Sequence, residues 1–263
     1  MKVKSNGITI NCVIEGPEGA PWVTMSHALA NNLSLWDDLA GALKDRYRVL
    51  RFDNRGHGDS EVVPGPYSFP MLLDDAVGLL DAVGVDATHW IGLSIGGMVG
   101  YGLGIHFPER IKSIIACDSR PDAPPDYAAY FQSRIDKAKD GGMDNVVEST
   151  IERWFTPQTR AAQPPVLDRV RAMIRGTDPV GHAGCCEALK TLAYGPELHK
   201  ITVPTLLLGG AQDKGAPPEA LAEAAAKIAK GEHLVIPNAG HITPLENPDA
   251  VRAGVEDFLL RHA

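Results

Sequence analysis

Apolar residues follow two alternating spacings along the chain, and the alternation predicts an architecture. Short apolar runs of strand length lie at residues 22–26, 47–52, 89–93, 111–117, 205–208 and 233–236. Between most of them the period becomes helical. Leu33, Trp36, Leu39 and Leu43 form one apolar stripe, and Leu72, Leu73, Ala76, Leu79 and Leu80 form a second, so both helices lay a face on a sheet. Ahead of this pattern, residues 3–4 and 8–14 flank Ser5-Asn6-Gly7. An Asn-Gly pair supplies the positive φ of a tight turn, which predicts an opening antiparallel hairpin. Strands alternating with helices predict an α/β fold with a mostly parallel sheet and helices on both faces.

From about residue 120 to residue 200 the strand signal disappears. Short helical segments there are broken by Pro and Gly clusters at 122–125, 140–142 and 163–165, and Asp178-Pro179 reads as an N-cap followed by proline in the first turn. A helical stretch set inside an alternating pattern predicts a lid over the C-terminal edge of the sheet, where open α/β folds bind ligands. The expected division is a core of residues 1–120 and 201–263 with a helical cap inserted at 121–200.

Composition narrows the partners. At 263 residues, with 44% hydrophobic and 22% charged, the chain can bury a large core, and disorder or coiled coil is excluded. Thirty-three acidic residues against 25 basic ones leave −8 with no basic block, which argues against nucleic acid and anionic membrane and for a small solute. The N-terminus has no apolar leader, and no stretch approaches the roughly 18 apolar residues of a membrane span, so a cytoplasmic location is expected. Cys12, Cys117, Cys185 and Cys186 are too irregularly spaced for a zinc ribbon or a disulfide framework and are expected reduced and mostly buried. No His or Cys pair has metal-ligand spacing and no G-x-G-x-x-G follows the first parallel strand, so neither metal nor nucleotide cofactor is expected. Self-association into a homo-oligomer is left open.

The chemistry concentrates in Gly92-Leu-Ser94-Ile-Gly96, a G-x-S-x-G placed directly after an apolar run and before a helical segment. That context puts Ser94 on a sharp strand-to-helix turn, with glycines where side chains would collide, and aims the Ile95 N–H at a developing oxyanion. A serine hydroxyl is too weakly acidic to attack unaided and needs a base held by a third group. His241 follows the 233–236 run and Asp213 the 205–208 run, so both fall in loops leaving C-terminal strand ends. Asp118, which ends the 111–117 run, is a rival acid, with Asp213 preferred. A second oxyanion donor is expected from the loop after 22–26, at the Leu29 N–H, with His27 bracing that loop. Asp53, Arg55 and His57 are expected to cross-brace loops at the sheet's upper edge.

These features resemble the α/β-hydrolase superfamily, in which nucleophile, acid and histidine occur in this chain order. More narrowly, Asp53-Asn-Arg-Gly-His-Gly58, Gly92-Leu-Ser-Ile-Gly-Gly-Met98, Arg153-Trp-Phe-Thr-Pro157, Gly184-Cys-Cys-Glu-Ala188 and Ala239-Gly-His241 resemble the 3-oxoadipate enol-lactonases of bacterial aromatic degradation. The resemblance covers nearly the whole chain. It implies an α/β-hydrolase fold with an eight-stranded sheet and inserted helical cap, and cofactor-free opening of a small lactone that carries a free carboxylate. It implies Ser94 as nucleophile, Asp213 as acid, His241 as base and Trp154 as a pocket wall. Ala28 and Ala30 depart from the usual serine and glycine of the oxyanion loop, His182 stands where the cap usually has tyrosine, and Lys214-Gly215 replaces small residues after the acid.

A substrate carboxylate needs a cationic or hydrogen-bonding partner, for which Arg120, Arg153, Arg175 and Lys214 are candidates. Arg120 and His182 join Trp154 as expected substrate-binding residues. If His241 titrates at the ordinary value, activity is expected to fall below about pH 6.5. Alternatives are a broader carboxylesterase or lactonase, a carbon–carbon hydrolase of ring-fission products, and a ligand receptor that kept the fold.

Overall fold

The structure is a computed structural model that describes residues 1–262. It opens with an antiparallel hairpin of β1 (Lys2–Ser5) and β2 (Ile8–Glu15), with Ser5 opposite Ile8. Asn6 and Gly7 form its turn at φ +43° and +79°, as an Asn-Gly turn requires. The remaining strands are β3 (Trp22–Ser26), β4 (Arg48–Phe52), β5 (Thr88–Leu93), β6 (Ile111–Cys117), β7 (Thr205–Gly210) and β8 (Gly231–Ile236). They form one eight-stranded sheet in the order β1-β2-β4-β3-β5-β6-β7-β8. The β1/β2 and β2/β4 pairs are antiparallel and every other pair is parallel, the mostly parallel sheet that the alternation predicts.

Central strand β5 is buried at every residue because helices cover both faces. Strand β7 runs two residues past the expected end. Gly209 and Gly210 carry no apolar signal, yet they pair with Val235 and Ile236, and a Cβ on Gly210 would lie 2.1 Å from the Gly240 carbonyl oxygen. The first predicted helical stripe divides into a 3₁₀ turn (Leu33–Trp36) and α1 (Asp37–Leu43), while α2 (Phe69–Ala82) buries the second stripe whole. Helix α3 (Ile95–His106) leaves β5 directly.

Between β6 and β7 lie α4 (Tyr127–Gly141), α5 (Asp144–Trp154), α6 (Pro157–Ala162), α7 (Pro165–Arg175), α8 (Pro179–Leu189) and a 3₁₀ turn (Gly195–Lys200), with no strand among the described residues. Prolines open three of the helices, Pro157, Pro165 and Pro179, where a missing N–H costs no helical bond. Asp178 caps α8 by accepting from the Val180 N–H at 2.7 Å. A bridge between Asp122 and Ala193 closes the base of the segment. Helices α9 (Pro218–Ala225), α10 (Thr243–Glu246) and α11 (Pro248–His262) complete the chain. Among the described residues no helix is long and apolar enough to cross a membrane. The four cysteines are buried and unpaired.

Candidate active site

Ser94 sits between β5 and α3 at φ +52° and ψ −116°, a strained conformation for a residue with a side chain. Its neighbours hold it there. The Ser94 N–H donates to the Cys117 carbonyl at 2.9 Å, and the Ser94 carbonyl accepts from the Gly97 and Met98 N–H groups at 3.0 Å each. The expected role of the flanking glycines is borne out by distances. A Cβ on Gly92 would stand 2.2 Å from the Gly96 carbonyl group, and one on Gly96 would stand 2.3 Å from the Ser26 carbonyl oxygen.

The loops after β7 and β8 bring two further groups to this turn. His241 Nδ1 donates to Asp213 Oδ2 at 2.8 Å, the direction required when the partner is a carboxylate. That leaves Nε2 as an acceptor 3.1 Å from Ser94 Oγ. The other Asp213 oxygen accepts from the Gly215 N–H at 2.6 Å, and the His241 N–H donates to the Trp154 carbonyl at 2.7 Å. Burial opposes the charged imidazolium, but the Asp213 carboxylate, through charge and hydrogen bond, outweighs it and holds His241 above its ordinary value of 6.5. Burial likewise works to raise Asp213, and the His241 contact overrides it to hold the carboxyl below the usual range.

Asp118, the rival acid, is fully buried and faces elsewhere. It accepts from the Gly210 N–H at 3.0 Å and from the Thr243 N–H and hydroxyl at 3.1 and 2.7 Å, tying the ends of β6 and β7 to α10. Burial, with the nearby Asp213 charge, pushes its carboxyl up to about 7.

Leu29 lines a cavity with Ser94, and neither its N–H nor that of Ile95 is spent on a bond within the protein. For Ile95 this follows from its place at the first position of α3, which has no intrahelical acceptor. Two neutral imidazoles brace the Leu29 loop. His57 Nε2 accepts from the Ala30 N–H at 3.0 Å, and His27 Nε2 accepts from the Asn54 N–H at 2.9 Å. Burial pushes both histidines down to about 4, so they stay uncharged acceptors. Ala30 lies at φ +58°, the left-handed region where glycine is at ease, and its bond to His57 offsets part of that strain. Asp53 accepts from the Leu33 N–H, the Asn11 amide and the Asp59 N–H, while Arg55 forms a buried ion pair with Asp75. These contacts are the cross-bracing expected of that loop.

The cavity over Ser94 measures about 30 Å³. Leu29, Ser94 and His241 form its floor, and the aromatic side chains of Tyr127, Tyr130, Phe131 and Trp154 cover them. Trp154 is thus where it was expected. Arg134 and Arg153 complete the wall. Larger depressions of about 460 and 440 Å³ lie elsewhere on the surface and contain none of these groups.

Several expected binding residues sit outside this wall. Arg120 turns away, donating from Nε to the Asp122 carbonyl at 2.6 Å and from Nη1 to the Gly215 carbonyl at 3.3 Å, which ties the segment's base to the loop after β7. His182 is buried behind the wall against Cys186, with its Nδ1 unpartnered. Arg175 is exposed and pairs with Asp144, and Lys214 is exposed. Only Arg153 of the four proposed cations reaches the cavity. Arg134 went unnoticed in the sequence although a signal exists, since it falls on the apolar stripe of α4 with Tyr127, Phe131, Ile135 and Ala138. Glu246 was also missed. It accepts from the Gly240 N–H at 2.7 Å and from the Thr156 N–H at 2.8 Å, clamping the His241 loop to the end of α5.

Comparison with known proteins agrees with this fold. A family model described as the alpha/beta hydrolase fold matches residues 21–248. The 3-oxoadipate enol-lactonase 2 of Acinetobacter baylyi is 31% identical over 97% of this chain and 94% of its own length. The crystal structure of the enol-lactonase from Burkholderia xenovorans LB400 superposes with a TM-score of 0.95 at 33% identity, covering 99% of this chain and all of that one, 100%. A thermophilic esterase from Thermogutta terrifontis, solved with malate bound, superposes at 0.92 with 28% identity over 100% of this chain and 99% of its own. On a family match that spans most of the sheet and all three hydrogen-bonded residues, this chain belongs to the alpha/beta hydrolase fold family.

Proposed function

We propose that the chain is a serine hydrolase of the carboxylic-ester class that opens a small carboxylate-bearing lactone of the 3-oxoadipate enol-lactone type through an acyl-enzyme. The observation that carries this reading is the unbroken relay from Ser94 Oγ through His241 to Asp213 beneath two unspent N–H groups. The likeness to enol-lactonases and to an esterase bound to a dicarboxylate supports the substrate class. As Ser94 Oγ attacks the lactone carbonyl, its proton passes to His241 Nε2 and the oxyanion is met by the Leu29 and Ile95 N–H groups. Collapse breaks the ring C–O bond, and His241 returns the proton to the departing enol oxygen, which remains part of the acyl chain. Water, deprotonated by His241, then attacks the acyl-enzyme and releases the open-chain keto acid.

A cavity of about 30 Å³ holds little more than water, so the side chains over Ser94 must rearrange to admit a lactone. The test of the reading is the decay of enol-lactone absorbance in parallel with release of p-nitrophenol from a short neutral ester. Fast lactone decay beside slow ester turnover supports the dedicated activity, and an untouched lactone with rapid ester turnover overturns the substrate.

Two further results are expected. His241 must be neutral to accept the serine proton, and Asp213 holds its value upward, so activity is lost as pH falls through a value above 6.5. The acid limb of a kcat/KM profile measures this, and a limb below 6.5 contradicts it. Replacing His57 with phenylalanine removes the acceptor of the Ala30 N–H beside Leu29. A displaced oxyanion donor is expected to lower kcat by about 10- to 100-fold with a smaller change in KM. Steady-state kinetics on one substrate separates the two.

A further inference from the structure

Three arginines are buried among the described residues, and two of them have carboxylate partners. Arg51 pairs with Glu15 and Asp37, and Arg55 pairs with Asp75. Arg134, 5% exposed, has none. Its Nη1 donates to the Thr150 hydroxyl at 2.9 Å and to the Tyr130 hydroxyl at 3.3 Å, both neutral, and its Nε and Nη2 have no hydrogen-bond partner. A guanidinium does not shed its proton, so the charge persists where charges are normally paired. The groups packed behind it do not compensate, because Cys186 is a thiol kept protonated by burial and His182 is held neutral.

The unpaired charge lines the cavity over Ser94. Arg153 lines it too, its guanidinium 4.4 Å from the centroid of the Tyr130 ring, and no Asp or Glu is among the lining residues. In a chain of net charge −8, two cations without a counter-ion in one small cavity define an anion site. Tyr130 joins them, contacting Arg134 with its hydroxyl and presenting its ring to both guanidiniums, 5.8 Å from Arg134 and 4.4 Å from Arg153.

We propose that Arg134, seconded by Arg153, binds the free carboxylate of the substrate and makes this enzyme selective for acyl compounds that carry one. The inference rests on the serine-hydrolase reading for its kinetic consequence, and on the cavity for its binding consequence. A planar carboxylate is the natural bidentate partner of a guanidinium and supplies the charge that the protein withholds. The substrate class follows as esters and lactones of dicarboxylic or keto-dicarboxylic acids, with one end at Ser94 and the other at Arg134.

The test compares the p-nitrophenyl half-ester of glutaric acid with p-nitrophenyl butyrate, in the wild type and in Arg134→Met and Arg134→Lys. The wild type is expected to prefer the half-ester. In Arg134→Met the ratio of the two kcat/KM values is expected to fall by at least about 30-fold, the lower range for removing one partner of a buried charge pair. Arg134→Lys, which keeps the charge but not the fork, should recover part of it. Because the ratio is internal to each variant, a smaller folded fraction cancels. An unchanged ratio in Arg134→Met overturns the proposal. Calorimetric binding of glutarate to Ser94→Ala, with and without Arg134→Met, stands apart from turnover. Binding abolished by Arg134→Met supports the anion site even where neither ester is hydrolysed, an outcome that would remove the hydrolase reading alone. Equal binding to both proteins overturns the anion site.

Discussion

Replacing Ser94 with alanine is expected to lower kcat on the lactone by about 10⁴- to 10⁶-fold. No other hydroxyl is hydrogen-bonded to His241, so nothing replaces the attacking oxygen. The alanine inherits the same strained turn, held by the backbone bonds from Ser94 to Cys117, Gly97 and Met98, and the fold should persist. Residual rate would come from the unspent N–H groups and from binding. His241→Ala should fall by a similar factor. The double variant should be little worse than either, because nucleophile and base act as one unit. Lactone decay gives the rates, and a fluorophosphonate probe that labels the wild type but not Ser94→Ala gives an independent readout. A Ser94→Ala enzyme with half of the wild-type rate would remove the mechanism.

Asp213→Asn should lower kcat by about 10⁴-fold, whereas Asp118→Asn should leave it within about tenfold. The difference comes from what each carboxylate accepts. Asp213 takes the proton of His241 Nδ1, and an amide that presents its NH₂ there favours the tautomer with the proton on Nε2, facing Ser94. The same change removes the charge that holds His241 upward, so the residual activity should show its acid limb at lower pH than the wild type. Asp118 instead accepts three bonds from Gly210 and Thr243. An amide there sets its own N–H groups against a backbone donor, at a cost of about 1–3 kcal/mol of stability. A lowered unfolding midpoint with near-normal kcat is therefore the expected signature of Asp118→Asn. If the two variants exchanged these signatures, the acid would be Asp118.

Much of the fold is legible in the chain because its signals are local. Strand-length apolar runs separated by helical stripes, an Asn-Gly turn and glycines around a serine each express a steric demand that neighbouring residues satisfy. Strands β3, β5, β6, β7 and β8 lie within a few residues of the expected positions, and the 3₁₀ turn before α1 and the extra length of β7 are differences at element ends. Ser94, Asp213 and His241 are legible for the same reason, since each follows the C-terminal end of a parallel strand and a parallel sheet brings those ends to one edge. Asp118 also follows such an end, and the choice between the two acids needed three dimensions. Only the path of each loop decides which carboxylate meets His241 Nδ1 and which meets Thr243.

Which cations face the cavity also needed three dimensions. Arg120, Arg175 and His182 were attractive as types near the right segment, but what a cation does depends on its partners, and those come from distant parts of the chain. Arg175 meets Asp144, Arg120 meets backbone carbonyls, and Arg134 meets no carboxylate, its hydrogen bonds going only to hydroxyls. Periodicity and turn chemistry established the sheet, the helices and the serine on its strand-to-helix turn, because those depend on residues a few positions apart. Packing of α4, α5 and α8 over the sheet decided which charges are neutralised. A buried charge without a partner is a property of the assembled interior, where low polarity makes every missing counter-ion costly and its absence informative.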